Sequence, residues 1–287
     1  MRRGVSAIAR AAVVVTIATT ACDRPRPLVI CHNANCVEPP EPRRDDTLDA
    51  LRASLALAVD GRPAIDGVEI DLFWHGQQNR CLFAHDLSTT PAASAGDVAA
   101  ELAQYIARPE PIASRDDVPF TVLIELKGHV GPSKSDAHTP AQRAAHAACA
   151  VDVVATLDAA AATAGRDVDL VVTSFDPRLL AAVAAEPRWR LPPARARRRL
   201  GAIVGIPAPL DSQTRPLSEF GAELGIDLVE VHPQWLLDGQ YEAYDHAGYE
   251  LAFWMFSATV ETLVAIDRYE PAMVVTSEAR LVRRWLR

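Results

Sequence analysis

The chain has 287 residues, 49% of them hydrophobic, with a formal net charge of −8. That length supports one large domain with a sizeable core. The acidic balance and the 6% aromatic content disfavour a nucleic-acid binder, which needs a basic face against the phosphate backbone.

The first 21 residues read as an export signal: Arg2 and Arg3 form the positive start, Ala11 to Ala18 the apolar stretch, and Thr19-Thr20-Ala21 the small residues before Cys22. The apolar stretch is too short to span a bilayer stably. Small residues ending at a cysteine, followed by the tether 22–27 (Arg24-Pro25-Arg26-Pro27), resemble a bacterial lipoprotein cleavage site, although Thr19 stands where a branched aliphatic residue is usual. Lipidation of Cys22, and with it a lipid-anchored place in the cell envelope, is the expectation; plain secretion is the alternative. Cleavage removes Arg2, Arg3 and Arg10 and carries the net charge from −8 to −11.

From residue 28 to 287 the chain reads as one domain. Apolar runs of strand length lie near 28–32, 67–73, 120–126, 168–174, 201–206, 227–231, 250–256 and 272–276. Helical patterns fall between them at 46–59, 97–107, 140–164, 177–185, 216–224, 236–247 and 258–268, with a closing helix near 278–286. Continuous apolar strands alternating with helices indicate a parallel sheet covered on its outside, and eight such units predict a TIM-type (β/α)8 barrel. A short run, Cys81 to His85, follows the polar turn Gly76-Gln77-Gln78-Asn79 and reads as a hairpin partner of the second strand.

Two strands carry charges where apolar residues are expected: Glu69-Ile70-Asp71 and Glu125-Leu126-Lys127. Side chains at i and i+2 of a strand leave the same face, so each pair points one way. Interior carboxylates need a partner or a metal. Together with His32 and Ser174, these residues fall at the C-terminal strand ends, where such barrels gather their reactive groups. Four cysteines besides Cys22 (Cys31, Cys36, Cys81 and Cys149) allow three disulfide pairings in an oxidising compartment, and a Cys36–Cys81 bridge would fasten the two histidine-bearing segments together. A Cys2His2 zinc site is the rival, but its spacing matches no structural zinc pattern.

In chain order, Cys31-His32-Asn33, Asp45 to Leu51, Val68-Glu69-Ile70-Asp71, Ala84-His85-Asp86, Ile124-Glu125-Leu126-Lys127, Thr173-Ser174-Phe175 and Phe253-Trp254 resemble the glycerophosphodiester phosphodiesterases of the phospholipase-C-like superfamily. The resemblance implies a phosphodiester-cleaving TIM-type barrel with one divalent cation at Glu69, Asp71 and Glu125, and an acid/base pair at His32 and His85. The chain departs from the family where His32-Asn33-Ala34 replaces His-Arg-Gly, Asp45-Asp46-Thr47 replaces acid-Asn-Thr, Trp254-Met255-Phe256-Ser257 replaces Trp-Thr-Val-Asn, and Thr276-Ser277 replaces Thr-Asp. The arginine that would clamp a phosphate is therefore absent. His-Asn at this place is similar to the phosphoinositide-specific phospholipases C, where the Asn helps hold calcium, and this makes Asn33 a further candidate ligand. Sphingomyelinase D is a looser relative.

Oxygen donors of this kind suit a hard cation, Ca2+ or Mg2+. Two histidines on opposite sides of the phosphorus would divide the proton transfers, and Lys127 would balance charge on the equatorial oxygens. Ser174 is a candidate phosphate or hydroxyl contact, or else a backbone-satisfying strand end; Trp254 is a candidate apolar wall of the pocket or ordinary barrel packing. Asp86 points away from His85 on an ideal strand and reads as a loop-setting residue. Of the other histidines, His129 in the rim loop Gly128 to Thr139 is a lesser candidate for substrate contact, and His75, His138, His146, His232 and His246 carry no comparable context. The arginine run from Arg188 to Arg199 joins a helix to the next strand and reads as a solvated loop on the far rim, with contact to anionic headgroups as the alternative.

The expected activity is metal-dependent hydrolysis of small phosphodiesters, foremost glycerophosphodiesters, to glycerol 3-phosphate and an alcohol. The alternatives are a calcium-dependent phospholipase C or D on intact phosphoinositides or sphingolipids, and a non-catalytic envelope lipoprotein using the barrel as a binding scaffold. No nucleic-acid partner is expected.

Overall fold

The computed structural model describes residues 26–38, 44–85, 92–127, 138–204, 217–235 and 239–287. The export signal, Cys22, Asp86 and His129 lie outside these residues, as does nearly all of the tether.

Eight parallel strands form a closed barrel: β1 (Leu28–Cys31), β4 (Gly67–His75), β7 (Phe120–Lys127), β8 (Val168–Ser174), β9 (Arg197–Val204), β10 (Ile226–Val231), β11 (Glu250–Met255) and β12 (Met273–Thr276). β1 closes the ring by pairing with both β12 and β4. β2 (Ala58–Val59) and β3 (Arg62–Pro63) make a small separate hairpin, while β5 (Arg80–Phe83) and β6 (Ala93–Ser94) extend the sheet antiparallel from the upper half of β4. The outer layer comprises α1 (Leu48–Leu55), α2 (Ala95–Ile106), α3 (Pro140–Ala164), α4 (Pro177–Ala185), α5 (Leu217–Leu224), α6 (Gln240–His246), α7 (Val260–Tyr269) and α8 (Ala279–Trp285). The predicted (β/α)8 barrel is the observed architecture, and the predicted hairpin is β4–β5.

Alternation on the strands divides the apolar residues into two sets. Val68, Ile70, Val122, Ile124, Leu170, Val172 and Phe253 belong to the large cluster under the helices. Ile30, Leu123, Val171, Ile203, Leu228, Ala252, Trp254, Met273 and Val275 fill the barrel itself. Gly67 has no room for a side chain: a Cβ there would lie 2.2 Å from the Thr121 carbonyl oxygen and 2.8 Å from Ile30 Cδ1. A glycine lets β1, β4 and β7 close on one another at that point.

Below the apolar layer the barrel holds an ion cluster. Arg199, 2% exposed, donates from Nε to Asp169 Oδ1 at 3.1 Å and from Nη1 to Glu250 Oε2 at 2.5 Å. This corrects the reading of the arginine run as solvated throughout: β9 starts at Arg197 rather than at 201, and the period of two turns Arg199 inward. Its charge is tolerable inside because both acids meet it.

The disulfides also differ from the bridge expected. Cys31 pairs with Cys36 and Cys81 with Cys149, so Cys36 is not joined to Cys81. The first bridge closes the short turn that carries His32, and the second ties β5 to α3. With all four thiols consumed, a Cys2His2 zinc site is excluded.

Candidate active site at the C-terminal mouth of the barrel

β4 and β7 run side by side with Asp71 opposite Glu125, and period-two alternation sends Glu69, Asp71, Glu125 and Lys127 inward together. One ligand atom each from Glu69, Asp71 and Glu125 lies within 4.8 Å of the others. Lys127 Nζ reaches Asp71 Oδ2 at 3.0 Å and Glu125 Oε1 at 2.8 Å. All three acids are buried, so their titration is set by desolvation first and by charge second. Burial, with Asp71 adding repulsion against the pull of Lys127, raises Glu125 to about 7. Burial and the neighbouring acids carry Glu69 well above the carboxylate range. Burial also pulls Asp71 upward, but Lys127 and a hydrogen bond from Glu69 outweigh it and hold Asp71 low. Burial works against a charged Lys127, yet Asp71, Glu125 and Glu69 keep the ammonium firmly protonated.

The β1 end supplies the next two groups. After Cys31 the chain makes a 3-10 turn over His32–Ala34, in which Asn33 (φ 48°) and Ala34 (φ 54°) both take left-handed backbone. Asparagine adopts that conformation readily, whereas alanine is disfavoured there by about 1 to 2 kcal/mol. The Cys31–Cys36 bridge and the backbone hydrogen bond from Asn35 N to the His32 carbonyl close the turn on itself. The geometry turns the Asn33 amide onto Glu69 Oε2 at 2.6 Å. Asn33 Nδ2 donates to Asp45 Oδ2 at 3.4 Å, and the Asn33 Oδ1 is buried without a hydrogen-bond partner among the described residues. His32 Nδ1 sits 3.4 Å from Ser277 Oγ, and its ring meets Phe256 edge-on at 6.0 Å. Burial, aided by Lys127 and His85 against Asp71, lowers the His32 pKa to about 4 and leaves the ring neutral. His85 follows β5 just past Ala84, whose amide is bonded to the Asp71 carbonyl at 3.1 Å. Its side chain is exposed and close enough to His32 and Asp71 to bear on both of their charges.

The structure thus brings His32, Asn33, Glu69, Asp71, His85, Glu125 and Lys127 to one mouth. Trp254 lies at the top of the apolar barrel filling, its ring 4.9 Å from His232, 5.2 Å from Phe256 and 6.4 Å from Phe175. Ser174 is not part of the mouth. Its Oγ donates to the Leu126 carbonyl at 2.8 Å and accepts from Asp176 N at 3.0 Å, on the strand face turned to the helices. The inward residue is Thr173, one position earlier, and a shift of one reverses the face.

Four further residues at the mouth were not among the candidates the sequence offered. Asp46, fully buried, accepts from Asp71 N at 3.1 Å, and Ser277 backs His32. Glu230 and His232 project from β10 in the same i, i+2 pattern as Glu69 and Asp71, so a carboxylate inside an apolar strand was the signal available for them as well. Glu230 is 2% exposed. Burial and the proximity of Glu125, against the Thr173 side chain and Lys127, raise it to about 8. Gly201 gives Glu230 and Thr173 the space to meet across β9, since a Cβ there would fall 2.9 Å from Thr173 Cγ2.

The donor set fits a hard divalent cation. Asn33 Oδ1 is a buried oxygen with no hydrogen-bond partner among the described residues, and the Glu69, Asp71 and Glu125 carboxyls crowd within 4.8 Å of one another, an arrangement unfavourable unless something else satisfies them.

No family model matches the sequence, and no curated protein matches it. Solved structures do. A phosphodiesterase from Oleispira antarctica, in complex with the product sn-glycerol-3-phosphate, is 15% identical with a TM-score of 0.59 over 91% of this chain and 97% of its own. A glycerophosphodiester phosphodiesterase from Parabacteroides distasonis is 14% identical with a TM-score of 0.57 over 91% and 97%. The corresponding enzyme from Thermotoga maritima is 15% identical with a TM-score of 0.52 over 91% and 99%. The chain therefore has the fold of the glycerophosphodiester phosphodiesterases over nearly its whole length.

Proposed function

We propose that this protein is a divalent-cation-dependent phosphodiesterase that hydrolyses glycerophosphodiesters to glycerol 3-phosphate and an alcohol. The observation that carries the reading is the convergence of Glu69, Asp71 and Glu125 oxygens within 4.8 Å beside Lys127 and a neutral, half-buried His32, on a barrel shared with enzymes of that name.

Glu69, Asp71 and Glu125, with Asn33 Oδ1 as a further donor, would hold Ca2+ or Mg2+, which when bound polarises a phosphoryl oxygen and acidifies the nucleophile. The chain's own groups do the rest. In the tautomer whose Nδ1–H donates to Ser277 Oγ, Nε2 keeps the lone pair that takes the nucleophile's proton. His85, exposed at the same mouth, returns a proton to the leaving alkoxide. Each transfer contributes about 10²- to 10⁴-fold. Lys127, already balanced between Asp71 and Glu125, offers a fixed positive charge to the equatorial oxygens as they gain negative charge.

Purified protein incubated with glycerophosphocholine, glycerophosphoethanolamine or glycerophosphoinositol in Ca2+, Mg2+ or chelator tests this, with released glycerol 3-phosphate read by phosphorus NMR. Cleavage in one cation and not in chelator supports it; three intact substrates under every cation refute it. One observation favours a second reading, a calcium-dependent phospholipase acting on intact lipid: Asn33, whose amide meets Glu69, has a buried Oδ1 with no hydrogen-bond partner among the described residues. Phosphatidylinositol and sphingomyelin vesicles in the same assay separate the two.

A further inference from the structure

The chain enters the barrel at the rim opposite the mouth. β1 starts at Leu28, and the residue two before it is fastened there: Arg26 Nη2 donates to the Arg287 carbonyl at 3.1 Å, while Arg115 Nη2 donates to the Arg26 carbonyl at 3.2 Å. Cys22 lies four residues upstream of Arg26. Four residues span at most about 14 Å when fully extended, so a lipid on Cys22 would hold this rim against the headgroups with no slack for the molecule to turn over.

The surface of that rim suits such a place. The turn between α4 and β9 presents Arg188, Arg190, Arg195 and Arg197, all exposed, around Leu191 at 60% exposure; Trp285, at 44%, ends α8 on the same rim. Arginine guanidinium groups with an apolar side chain and a half-exposed tryptophan are what a headgroup region accommodates. Acids on the rim do pair with some of them: Arg188 with Asp152 and Glu186, Arg195 with Asp167, Arg197 with Glu250. Arg190 instead spends its Nε on the Ala184 carbonyl at 3.1 Å and keeps its charge, and each paired guanidinium has donors to spare for phosphate. At the other end of the barrel the order is reversed. Asp45, Asp46, Glu69, Asp71, Glu125 and Glu230 gather around Lys127 inside the mouth. An anionic leaflet finds exposed guanidinium groups at one end of this molecule and a mouth of buried carboxyls at the other.

We propose that the rim carrying Arg188 to Arg197, Leu191 and Trp285 lies on an anionic phospholipid leaflet, so that the mouth opens into water and takes soluble, deacylated phosphodiesters, not the lipids of the membrane beneath. The substrate half of this statement rests on the phosphodiesterase reading; the orientation does not.

The test uses two forms of the full-length protein expressed with its leader. The first is a Cys22→Ser form, which carries no lipid, mixed with phosphatidylglycerol/phosphatidylcholine or pure phosphatidylcholine vesicles. It should sediment with the anionic vesicles at low salt and be released at high salt. The combined Arg188→Glu, Arg190→Glu, Arg195→Glu and Arg197→Glu variant should lose at least about 100-fold in vesicle affinity, since each basic side chain near an anionic surface contributes roughly fivefold, while glycerophosphocholine turnover in solution is unchanged. Lysine at the same four positions should retain binding and controls for folding. Equal binding to neutral and anionic vesicles, or charge reversal without effect, overturns the orientation. The second form is lipidated protein in vesicles containing phosphatidylinositol. Cleavage of added glycerophosphocholine with the vesicle lipid untouched supports the substrate claim, and consumption of lipid from its own bilayer overturns it. Vesicle binding without any turnover refutes the phosphodiesterase reading and leaves the orientation standing.

Discussion

Glu230→Gln replaces the buried carboxyl on β10 by an amide of the same shape, and its effect on stability should depend steeply on pH. In the folded chain the group titrates at about 8, against 4.5 in a model peptide. A carboxyl whose folded pKa is raised binds its proton more tightly folded than unfolded, so its contribution is fully present below pH 4.5 and is lost as pH rises through 8. At about 1.4 kcal/mol per pKa unit, the wild type loses roughly 4 kcal/mol from this one group between pH 5 and pH 9. Relaxation around the ionised group lowers this, and about 2 kcal/mol is a fair floor. The amide has no such loss. Urea or thermal unfolding in chelator should find the variant within about 1 kcal/mol of wild type at pH 5 and about 2 to 4 kcal/mol more stable at pH 9, near 5 to 10 °C in Tm. The difference between the two proteins removes the parallel titration of Glu69 and Asp46. A stability gap that does not change with pH would refute the reasoning, and a wild type that gains on the variant as pH rises would reverse its sign.

Three other outcomes are expected. His32→Ala and His85→Ala should each lower kcat by at least about 10²-fold with an unchanged circular-dichroism spectrum, and a wild-type rate in either refutes its acid/base role. Adding Ca2+ or Mg2+ to chelator-treated protein should raise Tm, because a cation relieves the repulsion among Glu69, Asp71 and Glu125; the triple Gln variant should show no such rise, and an equal rise in both would place the ion elsewhere. Ser277→Asp sets a carboxylate beside His32 Nδ1 and should move the acidic limb of the kcat/KM profile upward by about one unit or more, whereas an unmoved limb would mean that this contact does not govern the ring.

The barrel was legible because each strand is a continuous apolar run with a helix after it, and the acids of β4 and β7 stood out as charges inside such runs. The same cue on β10 passed unused, since Glu230 and His232 lacked a second charge of the kind that made Glu69 and Asp71 conspicuous. Ser174 ends its strand where expected and its hydroxyl satisfies backbone there, one of its two readings; the limits of a strand do not say which face its last residue takes, and the inward position falls on Thr173. The arginine run hid the start of β9 for a related reason. An interior arginine is indistinguishable in sequence from a solvated one until Asp169 and Glu250, 30 and 51 residues away, are seen to meet it. The disulfide pairing is a matter of three-dimensional distance alone, so spacing left it open.

The Cys81–Cys149 bridge has a practical corollary. It spans 68 residues of chain, a stretch that contains all of β7 and hence Glu125 and Lys127. Tying the ends of a loop that long withholds freedom from the unfolded chain worth about 4 kcal/mol, a large part of the net stability of a typical domain. Protein purified in thiol-containing buffer would therefore begin every assay less stable, and preparations made with and without reductant should not be compared as one material.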